Sequence, residues 1–555
     1  MIPMPEGARY ALRDLPFDLT AGLALAAIAV PSQLATAHLA GFPPIYGFAA
    51  FAAGAIGFAL PGANRYLVVC ADSTIAPIFA GGLAHLSAPG TPAYFGVASA
   101  FALIVGAILL CAGVFRLGWI ADLVSIPVTA GFLAGIAVHI IVSQLPFLMG
   151  ISAPGGDLLQ QVWEIASRFD EANPLALILG AAVFASAIGA EWVSPRIPGT
   201  LIGISAATAA VFWFQLEHEG VAVLGAMSGS LAQFRLPPIA YKQLIESVPL
   251  AFVTAAVIMV QSAATTRAFP SARGASASVN RDFTGIGAAN LLAGFAGTFA
   301  VDASPPLTGT IAEAGGRSKF AGLTAAALVL ALAAYGPTLL AHVPQAALAG
   351  TLLFVAMRLV RAREIVSVSR RAFGEFLLIL ITFAAVILLP IATGVGAGIV
   401  LSLLHGMWSM IRPQLVELER VPGTSIWWPH KGETIDGVLV IAFQAPLSFL
   451  NAYSFQDGMC RVLRERRTAP HLIVLEASNI IEIDFTAAQI LLAFIEDCRR
   501  QKTAVAVARL ESLRAQEAFE RLGISDALGP THLFHSVDEA IKALAKKPNE
   551  FGEDP

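Results

Sequence analysis

Charge is what this sequence most lacks. Of its 555 residues, 13% are Asp, Glu, Lys or Arg and 56% are hydrophobic, whereas a soluble chain is about 45–50% apolar and about a quarter charged. The balance excludes a disordered or collagen-like chain and argues against a soluble enzyme. Cysteine is scarce too. Cys70, Cys111, Cys460 and Cys498 show no metal-ligand spacing, which excludes a disulfide framework and a zinc site and leaves no metal to expect. With 34 Lys and Arg against 38 Asp and Glu, the net charge of −4 offers no basic field for nucleic acid. The opening MIPMPEGARYALRDLPFD lacks the compact charged-then-apolar pattern of a cleavable signal peptide, so the first apolar segment is expected to be retained.

What charge there is falls unevenly. Residues 1–411 hold 36 charged side chains, and the 144 residues after them hold another 36. The first stretch suits lipid and the second suits water. The chain therefore reads as a short cytoplasmic N-terminus (1–17), a polytopic membrane domain (18–411), a linker (412–434) and a small soluble domain (435–550). Apolar runs near 19–39, 43–61, 94–115, 119–148, 174–190, 197–215, 246–265, 283–300, 320–340, 344–360, 375–390 and 391–411 approach the ~20 residues of a spanning helix. Two further stretches, 73–86 and 304–314, are too short and too broken by Pro and Gly to cross alone. Together they make fourteen helical segments. Basic clusters (Arg9 and Arg13; Arg267, Arg273 and Arg281; Arg358, Arg361, Arg363, Arg370 and Arg371) contrast with acidic loops at 157–171 and 215–219. An inner-membrane orientation with both termini cytoplasmic puts every basic cluster inside.

The two short segments are alike. Cys70-Ala71-Asp72-Ser73-Thr74 leads into one that ends at Gly81-Gly82, and Val301-Asp302-Ala303-Ser304 leads into one that ends at Gly315-Gly316. Paired, interrupted segments in corresponding halves point to the central site of a carrier. The halves run about 18–215 and 244–411; seven segments in each is an odd number, so the second half is inverted in the membrane. If the two segments form half-helices that meet at mid-membrane, they would aim unbonded N–H groups and the positive ends of their dipoles at one point, which favours an anion. Ser73, Thr74, Ser304 and Thr308 would add hydroxyl donors. Asp72 and Asp302 stand beside them, either as caps or, since an ionisable group at membrane depth is a functional candidate, as the residues that couple transport to H⁺ or Na⁺. No other cofactor is expected.

Past residue 434, the short β-branched runs 437–443, 471–477 and 505–508 alternate with amphipathic stretches near 451–466, 485–501, 513–522 and 537–545, the pattern of a small α/β domain.

These motifs resemble, over nearly the whole chain, the SulP (sulfate-permease type) anion transporters that carry a C-terminal STAS domain. The resemblance lies in Asp18-Leu19-Thr20-Ala21-Gly22, Pro31, Ala37 through Gly47, Gly62-Ala63-Asn64-Arg65, Gly285 through Asn290, and Thr308 through Ser318, followed in the tail by Phe449-Leu450-Asn451-Ala452 and Ile483-Asp484-Phe485-Thr486-Ala487. It implies two inverted seven-helix repeats divided into a core and a gate, an elevator-like movement of the core, and a homodimer. The substrate would lie between the short third and tenth helices, with Gln33, after the first-helix proline, and Asp72 among its contacts. Gln261, where many members carry a Glu, joins Asp72 and Asp302 as a coupling candidate. Leu307 stands where an Arg often precedes the Thr. In the tail, Asp484 caps a helix or regulates, and Thr486 occupies the position that is phosphorylated in related anti-sigma antagonists.

The resulting expectation is a secondary carrier, not an enzyme, for a small anion: sulfate, bicarbonate or a dicarboxylate. Its other partners would be membrane lipid and cytosolic proteins that meet the STAS domain. No Gly-x-x-x-x-Gly-Lys stretch supports ATP-driven transport by this chain. Two rival readings are a nucleobase carrier of the same architecture and a non-transporting membrane sensor or scaffold. His38, His139 and His405 read as packing residues or proton relays, the 358–371 arginines as a topology signal, and Trp427 and Trp428 as an interfacial or docking pair.

Overall fold

The computed structural model describes residues 14–152, 158–194, 197–225, 241–270, 278–336, 340–411, 415–429, 432–466, 468–529 and 531–545. Arg9, Arg13 and Arg273 of the basic clusters lie outside them. The chain divides into two compact units, residues 1–403 and 404–555.

In the first unit, the first half supplies α1 (Leu15–Leu39), α2 (Ile45–Ala59), α3 (Ala76–Ala84), α4 (Pro92–Val114), α5 (Ile126–Met149), α6 (Leu158–Ser167), α7 (Pro174–Val193) and α8 (Gly199–Phe214). The second half supplies α9 (Tyr241–Ala268), α10 (Val279–Phe295), α11 (Pro305–Glu313), α12 (Phe320–Tyr335), α13 (Gln345–Leu359), α14 (Ala362–Arg371), α15 (Phe373–Leu388) and α16 (Ile391–Ile411). Without the amphipathic α6 and α14, each half has seven segments, and the third of each (α3, α11) has nine residues. At 1.5 Å per residue such a helix covers about 13 Å, less than half of a bilayer core.

Two expectations change. The run 119–148 is not one helix: a 3₁₀ segment, Leu117–Leu123, precedes α5, and Pro127 stands in the first turn of α5, where its missing N–H breaks no helical bond. The acidic 157–171 loop and the arginine-rich 358–371 stretch contain α6 and α14, whose apolar residues share one face.

Helix packing sorts the segments into two groups. α1–α4 pack with α9–α12, through contacts such as α4 on α10 and α1 on α12, while α5, α7, α8, α13 and α15 pack among themselves. α16 joins the second group, where Gly394 and Gly398 lie against α15. The first four segments of each half thus form one body and the last three the other, the core and gate of an inverted repeat.

Between the halves, β1 (Val69–Cys70) pairs antiparallel with β2 (Asp302–Ala303), Cys70 opposite Asp302. The Ser304 N–H donates to the Val68 carbonyl at 2.9 Å, and the Val68 N–H to Thr308 Oγ1 at 3.1 Å. Extended backbone at membrane depth must bond to protein, and here each half supplies the other's partner. Buried aspartates do the same work at the helix ends. Asp18 Oδ1 accepts from the N–H groups of Arg317 (2.7 Å) and Ser318 (3.0 Å), and Asp282 Oδ1 from those of Ala63 (2.8 Å) and Asn64 (2.9 Å).

The second unit carries a six-stranded sheet in the order β4-β3-β5-β6-β7-β8: β3 (Leu415–Arg420), β4 (Trp427–Pro429), β5 (Val438–Phe443), β6 (Leu472–Glu476), β7 (Ala504–Ala508) and β8 (Leu533–Phe534). β5 through β8 run parallel, with α17 (Ala452–Glu465), α18 (Phe485–Arg500), α19 (Leu513–Arg521), α20 (Ile524–Leu528) and α21 (Val537–Leu544) around them. β3 and β4 fall in the stretch read as a linker. Trp427 Nε1 donates to Asp538 of α21 at 3.0 Å, whereas Trp428 is exposed.

Candidate functional site

A cavity of about 1040 Å³ in the membrane unit reaches the approach to α3 and the first turns of α11. Asp72, Ser73 and Thr74 from the approach to α3, Ser304 from the N-cap of α11, and Gln261 from the middle of α9 all line it. Five of the predicted residues are therefore brought to one wall. Gln33, Thr308 and Asp302 do not line it, and their bonds say why. Gln33 Nε2 donates to the Ala71 carbonyl, and the Ala71 N–H donates to Gln33 Oε1, both at 3.0 Å. Thr308 Oγ1 accepts from Val68, and all three side chains are fully buried.

Asn290 of α10 holds the matching segment of the second half in the same manner. Its Nδ2 donates to the Val301 carbonyl at 2.8 Å and its Oδ1 accepts from the Val301 N–H at 3.0 Å. The sequence pointed to the Gly285–Asn290 motif but not to this role. A two-ended amide suits an extended segment because it supplies the donor and acceptor that a neighbouring strand otherwise provides.

The carboxylates differ. Asp72 Oδ1 accepts from the Thr74 N–H at 2.8 Å and from Gln261 Nε2 at 3.3 Å. The first bond closes a turn two residues long, the Asx geometry, so Asp72 organises its own loop while facing the cavity. Gln261 Nε2 also lies 3.3 Å from the Ala303 carbonyl, placing one amide group between the approaches to both short helices. Asp302 Oδ1 accepts from Ser262 Oγ at 2.9 Å and from the Ala303 N–H at 2.6 Å. Its Oδ2 is buried with no hydrogen-bond partner among the described residues. The N-cap of α11 is Ser304 and that of α3 is Ile75, so neither aspartate occupies the cap position.

The supply of free N–H groups is smaller than two helix ends suggest. Pro77, Pro305 and Pro306 have none. In α3, the N–H groups of Ala76 and Ile78 are bonded to the carbonyls of Asp72 and Ile75. On α11, Leu307 is the remaining first-turn donor. The hydroxyls of Ser73, Thr74 and Ser304 are thus the main neutral donors at the crossing, aided by the dipoles.

Sequence reasoning did not place Ser32 at the site, nor Thr265 and Thr310, one turn from Gln261 and Pro306; all three line the cavity. Farther along its wall, Arg267 lies 2.6 Å from Asp122 and Arg358 3.6 Å from Glu191. His38 packs edge-on against Phe147 at 4.4 Å, and His139 Nε2 bonds the Val386 carbonyl at 2.8 Å; neither lines the cavity. His405 is half-buried. No cluster able to hold a metal ion occurs among the described residues.

In the second unit, Asp484 is the N-cap of α18. Its Oδ1 accepts from the Ala487 N–H at 2.9 Å and its Oδ2 from the Phe449 N–H at 2.6 Å. Thr486 is exposed one residue inside the helix.

Comparison with known proteins accords with this architecture. The sequence model of the sulfate permease family matches residues 15–382, and that of the STAS domain matches 431–540. A probable sulfate transporter of Mycobacterium tuberculosis (strain CDC 1551 / Oshkosh) is 31% identical over 542 residues, 97% of each chain. Murine solute carrier 26 family member A9, an anion transporter solved in the inward-facing state, superposes with a TM-score of 0.88 at 18% identity, covering 97% of this chain and 93% of that one. The transmembrane domain of a cyanobacterial bicarbonate transporter superposes with a TM-score of 0.61 at 18% identity, covering 71% and 98%. The fold is that of these helical membrane transporters, and the chain belongs to the sulfate permease family, as a multi-pass membrane transporter with a C-terminal STAS domain.

Proposed function

We propose that the chain is a secondary carrier of a small anion, bound where α3 and α11 meet and moved by displacement of the α1–α4/α9–α12 body against the other. The observation that carries this reading is the shared wall: hydroxyls from the approaches to the short helices of both inverted halves face one cavity. Sulfate is the first candidate because relatives are described as probable sulfate transporters. Bicarbonate and a dicarboxylate follow. The membrane is the inner membrane of a bacterial-type cell, both termini are cytoplasmic, and the working unit is a homodimer. Cytosolic proteins are the partners of the STAS domain.

Coupling follows from Asp72. Among the described residues, the lining arginines Arg267 and Arg358 are paired with Asp122 and Glu191, and an ionised Asp72 in the wall that carries the hydroxyls repels the cargo. Two unit charges 6 Å apart repel by about 3 kcal/mol at an effective dielectric constant of 20. A proton or Na⁺ on Asp72 removes that repulsion, so anion and cation move together. Gln261, which touches Asp72 and the start of α11, transmits the change. Asp302 lies behind this wall and plays the lesser part in coupling.

The test is uptake of labelled sulfate, bicarbonate and succinate into proteoliposomes, with inward H⁺ and Na⁺ gradients imposed separately. One anion should accumulate under one gradient. Asp72→Asn should abolish the gradient dependence while leaving downhill exchange measurable. Uptake of none of the three, or Asp72→Asn with unaltered gradient dependence, contradicts the cargo or the coupling respectively.

A further inference from the structure

Five arginines fall within fourteen residues at the junction of α13, α14 and α15: Arg358, Arg361, Arg363, Arg370 and Arg371. Two have acidic neighbours, Arg358 beside Glu191 and Arg361 3.4 Å from Glu364. The other three are exposed, and none makes an ion pair among the described residues. At 3.6 residues per turn, Arg363, Ser367 and Arg370 fall on one line of α14, with the arginines about 10 Å apart along the axis. Ile365 and Val368 fall on the opposite face and are half-buried. The helix is followed at once by Phe373, 76% exposed, at the start of the apolar α15.

Acids three or four residues away would offset such a row. α14 has one acid, Glu364, and it serves Arg361. The corresponding helix of the first half, α6, exposes Leu159 and Trp163 but has no uncompensated row: Arg168, just after it, pairs with Glu164 and Glu171. Both are amphipathic linkers between spans, which suits helices lying in a membrane interface. The cationic row belongs to the second half alone, and an inverted repeat puts the two linkers on opposite faces of the membrane.

The geometry points to α14 as a binding surface for anionic lipid headgroups, with Arg363, Arg370 and Arg371 contacting phosphate and Ser367 between the first two. A negatively charged leaflet attracts each cationic side chain near its surface. Arg358 and Arg361, from the same segment, line the central cavity. Lipid held along α14 therefore steadies the chain at the end of α13, where the cavity wall is built.

The test uses the full-length protein in detergent, titrated with phosphatidylglycerol or phosphatidylcholine, with retained lipid counted by native mass spectrometry. The wild-type protein should retain phosphatidylglycerol in preference. R363Q/R370Q/R371Q should lower that retention at least about tenfold. R363K/R370K/R371K should keep most of it, because a lipid surface reads charge. R461Q/R464Q/R514Q, which removes equal charge from exposed sites in the C-terminal unit, should change nothing. Equal retention of the two lipids by the wild type, retention unchanged in the glutamine variant, equal loss in the lysine variant, or a matching loss in the C-terminal variant would each overturn the proposal.

Discussion

Gln33 is buried with both ends of its amide on the backbone of Ala71. Its place after Pro31 suggested a contact with cargo instead. Position along a chain tells which residues reach membrane depth, not which way an amide faces. Gln33→Ala would strand a buried donor and acceptor, each costing about 1–3 kcal/mol, and should depress the thermal midpoint of the purified protein well before any change in anion selectivity. Asp72, Ser73, Thr74 and Ser304 were found because a Pro-broken apolar segment with polar residues at its start has few uses other than lining a cavity. Thr265 and Ser32 carried no such mark, as each is one more small polar residue in an apolar helix. Cysteines can be sorted in the same way. Burial pushes the Cys498 thiol up to about 11, with Asp497 and Cys460 adding to the effect, whereas Cys460 is exposed. Reactivity follows thiolate and access, so maleimide at pH 8 should label Cys460 far faster than Cys498, as read by peptide mass spectrometry.

Elements were legible in proportion to their length. Spanning helices announce themselves by sustained hydropathy, and the strands β5, β6 and β7 by short β-branched runs. α6 and α14 were missed because a search for unbroken apolar runs passes over a helix that is apolar on one side only. β1 and β2, two residues each, leave no periodic trace, although they join the two halves. Their approach depends on Gly54 of α2: a Cβ there would fall on the carbonyl oxygen of Val69. Backbone cannot yield as a flexible side chain can, so Gly54→Ala should part α2 from β1 and cost more than about 2 kcal/mol, seen as loss of monodisperse protein or of several degrees in thermal midpoint. At α18, Asp484→Ala removes a cap and the anchor of Phe449. A cost of about 1–3 kcal/mol is expected, with faster hydrogen exchange at Phe449 and Ala487. Thr486→Ala, at an exposed site, should stay within about 0.5 kcal/mol of the parent.

On the scale of the whole molecule, the uneven distribution of charge foretold a lipid-embedded part and a water-soluble part, and the odd count of segments per half foretold inversion. The division of the membrane unit into two helix bodies came to the sequence only through resemblance, because it depends on contacts between helices far apart in the chain. That division and the cavity wall shared by the approaches to α3 and α11 make one claim: cargo binds where the halves meet. Single cysteines at Ser73 and Ser304, in a protein with Cys111 replaced by Ala, test it directly through their rate of reaction with a charged thiol reagent. The account predicts that the transported anion slows labelling at both positions together, with half-protection at one common concentration, and leaves Cys460 unaffected. Protection at neither position, or at one alone, would contradict it.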